Sequence, residues 1–213
     1  FSSATNTPTV NMFALTYTVY GSLNLTGVGT FNGGAIDFVV RSNASLTSNG
    51  KTLGTQSCNI YAPSRTFTFN DAFVMTKALY LNLGTLVSDY NVTSAGYRAL
   101  SGTTTNMGTS ATTWAMTQLS YVAWSMAGTI TNGGSATIAL NYNSTLNTTF
   151  AGGTQTYNAI TIIGTGTGTV TFSGAFTFAN MTMSSAGART IKFTQGTTYK
   201  MTGTSFLSGS ASG

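Results

Sequence analysis

The sequence predicts an all-β fold and, within that class, a β-solenoid, which is a parallel β-helix-like stack of short strands. Three observations support this prediction. Apolar and polar residues alternate along short segments throughout the chain, Gly, Asn and Ser separate these segments, and Thr, Ser and Asn fill the polar positions in place of charged residues. Strand signals return about every 8 to 12 residues, a spacing that also suits a β-sandwich.

The alternation predicts which side chains face the core. In residues 66–69 the side chains of Phe67 and Phe69 share one face, and those of Thr66 and Thr68 share the other. Two further sets follow from the same alternation: an inward set of Leu79, Leu81, Leu83, Ile138, Leu140, Ile160, Ile162, Val170, Phe172, Ile191 and Phe193, and an outward set of Thr169, Thr171 and Lys192.

Self-similarity and low charge favour the solenoid over the sandwich. Residues 29–34 resemble residues 148–153, and residues 131–134 are a weaker echo of both. Only 5% of the residues are charged. Coils stacked at about 4.8 Å would set like charges directly above one another, whereas neutral Thr, Ser and Asn can form ladders along the stack.

Two regions differ in pattern, although no linker separates them. Residues 1–128 carry most of the aromatic residues and all three acids, and we interpret them as an irregular, solenoid-like β region. Residues 129–213 have a simpler pattern of regular solenoid repeats. We predict one continuous stack. The Gly-Thr run at residues 164–169 is flanked by strand signals, so we expect a tight turn between coils rather than a flexible tether.

The titratable residues argue against enzymatic chemistry. The chain has no His and one Cys, Cys58, so catalysis by a His-activated nucleophile and a Cys/His zinc site have no residues to build them. We expect Cys58 to be a small buried apolar residue. The sequence therefore predicts no catalytic residue, no metal site and no cofactor.

Paired carboxylates remain as an enzymatic alternative, because solenoid folds host glycosidases that use two of them. The separation of Asp71 and Asp89 in the chain is close to one coil of a solenoid, so they could lie on adjacent coils. The simpler interpretation places each carboxylate in a turn, since Asn70 precedes Asp71 and Ser88 precedes Asp89. We expect a non-enzymatic protein.

Five aromatic residues are the candidate ligand-binding positions: Trp114, Tyr121, Trp124, Tyr90 and Tyr97. Aromatic faces can stack on sugar rings, and exposed Trp and Tyr often anchor interfaces. Period 2 also places Trp114 on the same face as Met116, and Trp124 on the same face as Val122. A role in the core or in a subunit interface is therefore the favoured interpretation of these residues.

The charge pattern argues against nucleic acid as a partner, and the short apolar runs argue against insertion into a membrane. The net charge of +5 comes from eight basic residues scattered along the chain, whereas phosphate binding needs a cluster on one face. The longest apolar runs are too short and too polar for a spanning helix of about 20 residues. An outer-membrane barrel fits poorly, since charged lumen residues are lacking.

The second half carries a recognisable order of segments. Residues 149–153 and 156–162 are followed by a Gly/Thr turn and then by residues 176–182 and 189–198. This order resembles repetitive β-solenoid segments of phage tail and fibre proteins and of secreted bacterial surface proteins. Residues 49–53 and 83–86 are similar but looser. The resemblance implies a repetitive part of a fibre or adhesin, located in a virion, in the extracellular space or at the cell surface.

The expected function is a structural module of an extracellular or virion fibre, with a role in host attachment. The alternatives are a glycan- or receptor-binding adhesin and, less favoured, a polysaccharide-degrading solenoid. A stacked β fold has two open ends, and the sequence offers no capping helix and little charge to prevent association. We therefore expect the ends to be covered by more of the same chain, by sister copies in a homotrimer or a head-to-tail filament, or by other particle proteins. A cell-surface glycan is a further candidate partner.

Overall fold

The computed structural model describes residues 8–12, 15–54, 56–117, 121–185 and 188–208 of the 213-residue chain. Within these ranges the regular structure is entirely β, with no helix, and so none that could cross a membrane. Every pairing between the described strands is parallel, and the strands stack into a β-solenoid of about eight turns. The predicted fold class is confirmed. The sandwich alternative is wrong, because sandwiches are built from antiparallel sheets.

Short strands follow one another along the chain. They are β1 (Thr9–Asn11), β2 (Thr16–Val19), β3 (Leu23–Asn24), β4 (Thr30–Asn32), β5 (Ala35–Val39), β6 (Ala44–Thr47), β7 (Thr52–Leu53), β8 (Cys58–Phe69), β9 (Phe73–Met75), β10 (Leu79–Ser88), β11 (Val92–Ser94), β12 (Tyr97–Ala99), β13 (Thr104–Asn106), β14 (Thr113–Met116), β15 (Tyr121–Met126), β16 (Thr129–Thr131), β17 (Thr137–Asn141), β18 (Thr148–Ala151), β19 (Thr156–Gly164), β20 (Val170–Ser173), β21 (Phe176–Ser185), β22 (Ile191–Phe193), β23 (Tyr199–Met201) and β24 (Ser205–Ser208).

The coil has several faces, because β8, β10 and β21 each turn a corner and pair with different neighbours before and after it. β10 pairs with β12 through residues 79–81 and with β13 through residues 85–87. Face 1 runs through β2, β5, β8, β10, β12, β15, β18, β20 and β22. The sheet that runs from β7 through β9, β11, β14, β17 and β19 to β21 lies on another side of the coil.

Coil length varies along the stack. Leu79 pairs with Tyr97, and Tyr97 in turn pairs with Trp124, so the second of these two coils is half as long again as the first. In the second half Thr148 pairs with Val170, and that coil is intermediate in length. This variation explains why the sequence shows self-similarity without one fixed period. Face 1 continues across residue 128 without a break, since β15 pairs with β18.

The core is a column of side chains that stack from coil to coil. On face 1 the rings of Tyr97, Trp124, Phe150 and Phe172 stand in register, with successive ring centroids 5.0, 6.1 and 5.4 Å apart. The indole Nε1 of Trp124 donates a hydrogen bond of 3.0 Å to the hydroxyl of Tyr157. Aromatic stacking and a satisfied indole together stabilise the middle of the solenoid.

The predicted inward positions are buried at most sites. The confirmed ones are Phe67, Phe69, Leu79, Leu81, Ile138, Leu140, Ile160, Ile162, Val170 and Phe172. The predicted outward Thr residues at 66, 68, 169 and 171 are half-buried, and Lys192 is exposed. Period-2 alternation was therefore sufficient to assign the phase of these strands.

The prediction is wrong for Leu83, which is 47% exposed. In the neighbouring coil Ile60 and Tyr61 are consecutive, but their partners Leu81 and Leu83 have an extra residue between them. This bulge reverses the phase of the alternation, so that Leu83 points outward. Val122 is exposed for the same reason, because another bulge lies between it and Trp124.

The last coil of face 1 keeps its phase without being fully covered. Ile191 and Phe193 pair with Val170 and Phe172, so both lie in core columns as predicted. Ile191 is nevertheless only half-buried, and Phe193 is 40% exposed. No described strand of face 1 stacks beyond β22, and its open side exposes these side chains.

The Gly-Thr run packs directly on the preceding coil. The amide of Gly166 donates a hydrogen bond of 3.0 Å to the carbonyl of Tyr142, and the amide of Thr169 donates one of 2.9 Å to Oδ1 of Asn147. A Cβ atom at Gly168 would overlap the carbonyl oxygen of Leu146. The run is therefore a close-packed corner, as predicted, and glycine allows the two backbones to approach.

Candidate functional site

Three of the five aromatic candidates are buried, so their rings offer no face on which a sugar could stack. Trp114, Trp124 and Tyr97 contact one another, with ring centroids between 5.0 and 6.1 Å apart. The hydroxyl of Tyr97 is hydrogen-bonded to Oγ1 of Thr105 at 2.6 Å. The platform hypothesis is corrected for these three residues, because their inward phase places the rings in the core, as the alternative interpretation expected.

The other two candidates do not complete a platform. Tyr90 is exposed, in the turn that follows β10, where the hydroxyl of Ser88 donates a hydrogen bond to its carbonyl. The backbone of Tyr121 begins β15, and its side chain lies outside the described part of the chain. The structure therefore does not bring the five aromatic candidates together on one surface.

The carboxylate of Asp71 is bonded to the preceding coil. Its Oδ1 accepts a hydrogen bond of 2.8 Å from the amide of Ser48, and its Oδ2 accepts one of 2.5 Å from the amide of Asn49. Both oxygens thus satisfy backbone donors in a turn. Asp71 lies in a turn between β8 and β9, as predicted, whereas its bonds to the preceding coil were not predicted.

The carboxylate of Asp89 is bonded in the opposite direction along the stack. Its Oδ1 accepts a hydrogen bond of 2.9 Å from the amide of Thr109, in the following coil. Asp71 and Asp89 do follow paired strands, since Phe69 stands opposite Ser88. Their hydrogen bonds nevertheless lead to different coils, and the described residues contain no group of three or more His, Cys, Asp or Glu that could hold a metal ion.

Asn side chains make the same kind of bond as Asp89. In five cases an Asn Oδ1 accepts the backbone amide of a Thr one coil later: Asn43 from Thr66, Asn91 from Thr113, Asn143 from Thr165, Asn147 from Thr169 and Asn180 from Thr204. Sequence reasoning missed this set, although the spacing of 22 to 24 residues between Asn and Thr was a usable signal. Asp89 thus serves as one member of a structural series.

The thiol of Cys58 is buried between paired strands, as predicted. Burial raises the pKa of the Cys58 thiol, and the nearby charge of Asp37 raises that pKa further. A thiol that stays protonated is a poor nucleophile. Cys58 therefore packs as an apolar residue in the column that continues into Leu79.

A surface groove on face 1 is a candidate site for a ligand. Its volume is about 670 Å³, and we call it the basic groove. It is lined by Ser57, Lys77, Ala78, Tyr80, Ala95, Gly96, Tyr97, Arg98, Val122 and Ser125.

The ladder of β10, β12 and β15 positions the side chains of the basic groove. Tyr80, Arg98 and Ser125 stand opposite one another on three successive coils, one residue after the buried positions 79, 97 and 124. Lys77 lies before β10, where its carbonyl accepts the amide of Ala95 at 3.0 Å. The bulge in β15 turns Val122 outward to complete the lining.

The basic groove carries positive charge that no neighbouring acid neutralises. Lys77 and Arg98 are both exposed, and none of the lining residues is acidic. Neither side chain has a hydrogen-bond or ion-pair partner among the residues that the structure describes. Asp37 stands in the same outward column as Arg98, but three coils away, which is about 14 Å at the usual strand spacing.

Sequence reasoning missed the basic groove because it treated the basic residues as scattered. The separation of Lys77 and Arg98 in the chain is close to the length of one coil. That spacing brings them to neighbouring coils of one face. Comparison with protein-family models, with curated proteins and with solved structures finds no significant match to this chain.

Proposed function

We propose that this chain is a non-enzymatic structural module of an extracellular or virion fibre, such as a phage tail fibre or a surface filament, and that it joins its neighbours end to end. The observation that carries this proposal is the exposed core at the C-terminal end of the described stack. Phe193 is 40% exposed, and Met201 is 49% exposed.

Both residues continue columns that are buried one coil earlier. Phe193 pairs with Phe172, and Met201 pairs with Phe178, both of which lie in the core. Burial of apolar surface contributes about 25 cal/mol per Å², and no described strand pairs with the outer edge of β22 or β23. A further layer of parallel strand would satisfy both the side chains and the backbone.

The N-terminal end of the stack has matching properties. Leu15 and Tyr20 are 64% and 69% exposed, and the first charged residue of the sequence is Asp37. At the C-terminal end β22 contains Lys192 and β23 contains Lys200, and neither strand contains an acidic residue. The first coil carries no charged side chain, so it would not repel the lysines of the last coil of another copy.

These features favour a head-to-tail filament over a homotrimer. A trimer would associate through the sides of the solenoid, where Leu83, Val122 and Leu146 are exposed among outward positions that are mainly Thr, Ser and Asn. At the C-terminal end, by contrast, Phe193 and Met201 continue core columns beside an open strand edge, and this combination favours contact between ends. Other particle proteins could cover the ends of such a filament.

The experiment compares two variants that introduce the same residue. Phe193→Lys places a charge in the exposed core column, and Gln195→Lys places the same charge in the exposed turn that follows. Negative-stain electron microscopy should show filaments for the unmodified chain and for Gln195→Lys, and short particles for Phe193→Lys. Filaments of equal length in all three samples, with both variants folded by circular dichroism, would contradict an end-to-end contact.

A second candidate function is glycan binding by an adhesin. The basic groove supports it, because it is a concave site of about 670 Å³ whose polar and charged groups converge on one surface. A fibre module and a binding module are compatible roles for one solenoid. Both place the chain in a virion or at the cell surface.

A further inference from the structure

We propose that the basic groove binds an acidic oligosaccharide, one that carries carboxylate or sulfate groups. Its anionic groups would meet Arg98 and Lys77, and one sugar ring would lie on Tyr80. This inference rests on the second candidate function, the binding role, and is independent of end-to-end assembly.

The charge of the basic groove selects an anion. Arg98 and Lys77 lie on neighbouring coils of one face without an acidic lining residue, so their fields add within the concave surface. The guanidinium of Arg98 can donate two parallel hydrogen bonds to a carboxylate or a sulfate. The ammonium of Lys77 supplies a second point charge nearby.

The remaining lining suits a sugar. Tyr80 stands directly opposite Arg98 in the outward column, and the exposed methyl groups of Val122 lie in the same groove. An aromatic ring and a small apolar patch can pack against the C–H face of a pyranose. The hydroxyls of Ser57 and Ser125 can donate to, or accept from, sugar hydroxyls.

The groove is too local for a nucleic acid. A polyanion that ran along the stack from Arg98 would pass Asn59 and then reach the carboxylate of Asp37 in the same column. Nucleic-acid binding draws on many phosphate contacts along a basic track, whereas this groove offers two cations. A short acidic saccharide fits this charge pattern.

Strands hold three of the lining side chains, and the short segment between β9 and β10 holds Lys77. Tyr80 and Arg98 belong to β10 and β12, and Ser125 belongs to β15, so paired backbones fix their spacing before a ligand arrives. Pre-organised groups lose little conformational entropy on binding. Substitution of these outward side chains should leave the core unchanged.

The test is isothermal titration calorimetry on the 213-residue chain with four saccharide probes. Tetragalacturonate and a chondroitin sulfate tetrasaccharide carry carboxylate or sulfate groups. The fully methyl-esterified tetragalacturonate keeps the rings without the charge, and maltotetraose is neutral. We expect at least one acidic probe to bind, in a salt-dependent manner, and neither neutral probe to do so. Inorganic phosphate should not compete at matched ionic strength, because the sugar ring contributes to binding.

Matched substitutions locate the site. Arg98→Gln and Lys77→Gln should each raise the Kd by about tenfold, the effect expected when a charge-assisted hydrogen bond is lost. Arg41→Gln and Lys192→Gln remove the same charge from exposed residues outside the groove, so they should leave the Kd unchanged. Tyr80→Leu should weaken binding, and Tyr80→Phe should not.

Three results would overturn the inference. Equal losses in the groove variants and the matched controls would assign the effect to net charge alone. Binding of a neutral probe in the groove would keep the binding role and reject the acidic class. Absence of binding by all four probes would reject both the binding role and the acidic class of ligand.

Discussion

The ring of Phe193 stacks on the ring of Phe172, with centroids 5.1 Å apart and planes inclined by 17°, yet Phe193 is 40% exposed. Phe172 is fully buried because β22 covers it, whereas no described strand of face 1 covers Phe193. The same column of rings therefore forms the core inside the stack and an apolar surface at its end. The aromatic stacking that stabilises the fold would therefore also stabilise the proposed assembly.

The aromatic column should dominate stability. Trp124→Ala removes a buried ring that packs on Tyr97 and Phe150 and leaves the hydroxyl of Tyr157 without its indole donor, so the free energy of unfolding should fall by about 3–5 kcal/mol. Val122→Ala, two residues earlier and exposed, should change it by less than about 0.5 kcal/mol. Urea unfolding followed by circular dichroism measures both. Similar losses for the two variants would contradict the assigned phase.

The Gly-Thr corner should tolerate change at Thr and not at Gly. Gly168→Ala places a Cβ atom where the carbonyl of Leu146 and the hydroxyl of Tyr142 already lie, so the corner must open and the melting temperature should fall by several degrees. Thr167→Ala alters an exposed side chain between two close-packed glycines and should have little effect. Differential scanning calorimetry compares the two variants. If residues 164–169 formed a flexible tether, neither substitution would change the melting temperature.

Much of the fold could be predicted from alternation alone. In residues 66–69 Thr and Phe alternate without interruption, so the inward phase of Phe67 and Phe69 can be read from the sequence. Leu83 could not be placed this way, since one extra residue at a coil corner reverses the phase. The basic groove was hidden for a related reason. Lys77 and Arg98 become neighbours only when the length of that coil is known, and coil lengths vary.

The stability of the fold should decrease at alkaline pH. Burial raises the pKa of the Cys58 thiol, with a further contribution from Asp37, and burial also raises the pKa of the Tyr97 and Tyr157 hydroxyls. The folded state thus holds these protons more tightly than the unfolded state does. Their contribution is fully present below the unfolded-state pKa, which is 9.0 for Cys58, and is lost as the pH rises above it.

Urea unfolding at a series of pH values measures this dependence. The free energy of unfolding should be flat from about pH 6 to 8 and should fall progressively above about pH 9. Cys58→Ala should shift the onset of the fall toward the ordinary pKa of tyrosine, 10.0. An unchanged free energy of unfolding up to about pH 11 would show that these groups are not buried as described.

The carboxylates of Asp71 and Asp89 should accept structural hydrogen bonds and take no part in catalysis. Asp71→Ala leaves the amides of Ser48 and Asn49 without their acceptors and should lower the free energy of unfolding by about 1–3 kcal/mol. Asp89→Asn keeps an oxygen for the amide of Thr109 and should be nearly neutral, as the Asn residues in equivalent bonds suggest.

An assay for reducing ends released from capsular and cell-wall polysaccharides tests the enzymatic alternative. We expect no turnover by the unmodified chain. Turnover that Asp71→Asn or Asp89→Asn abolished, in variants that remain folded, would contradict the non-enzymatic function.

We expect the open end of the core to drive self-association, which can be measured as the molar mass of the 213-residue chain in solution. Light scattering coupled to size-exclusion chromatography should give a mass that rises with loading concentration well beyond the 22.0 kDa of one chain. End-to-end contact without closure predicts this continuous rise. A plateau at three chains would support the homotrimer instead. A constant mass of one chain at high concentration, with two-state unfolding, would contradict the claim.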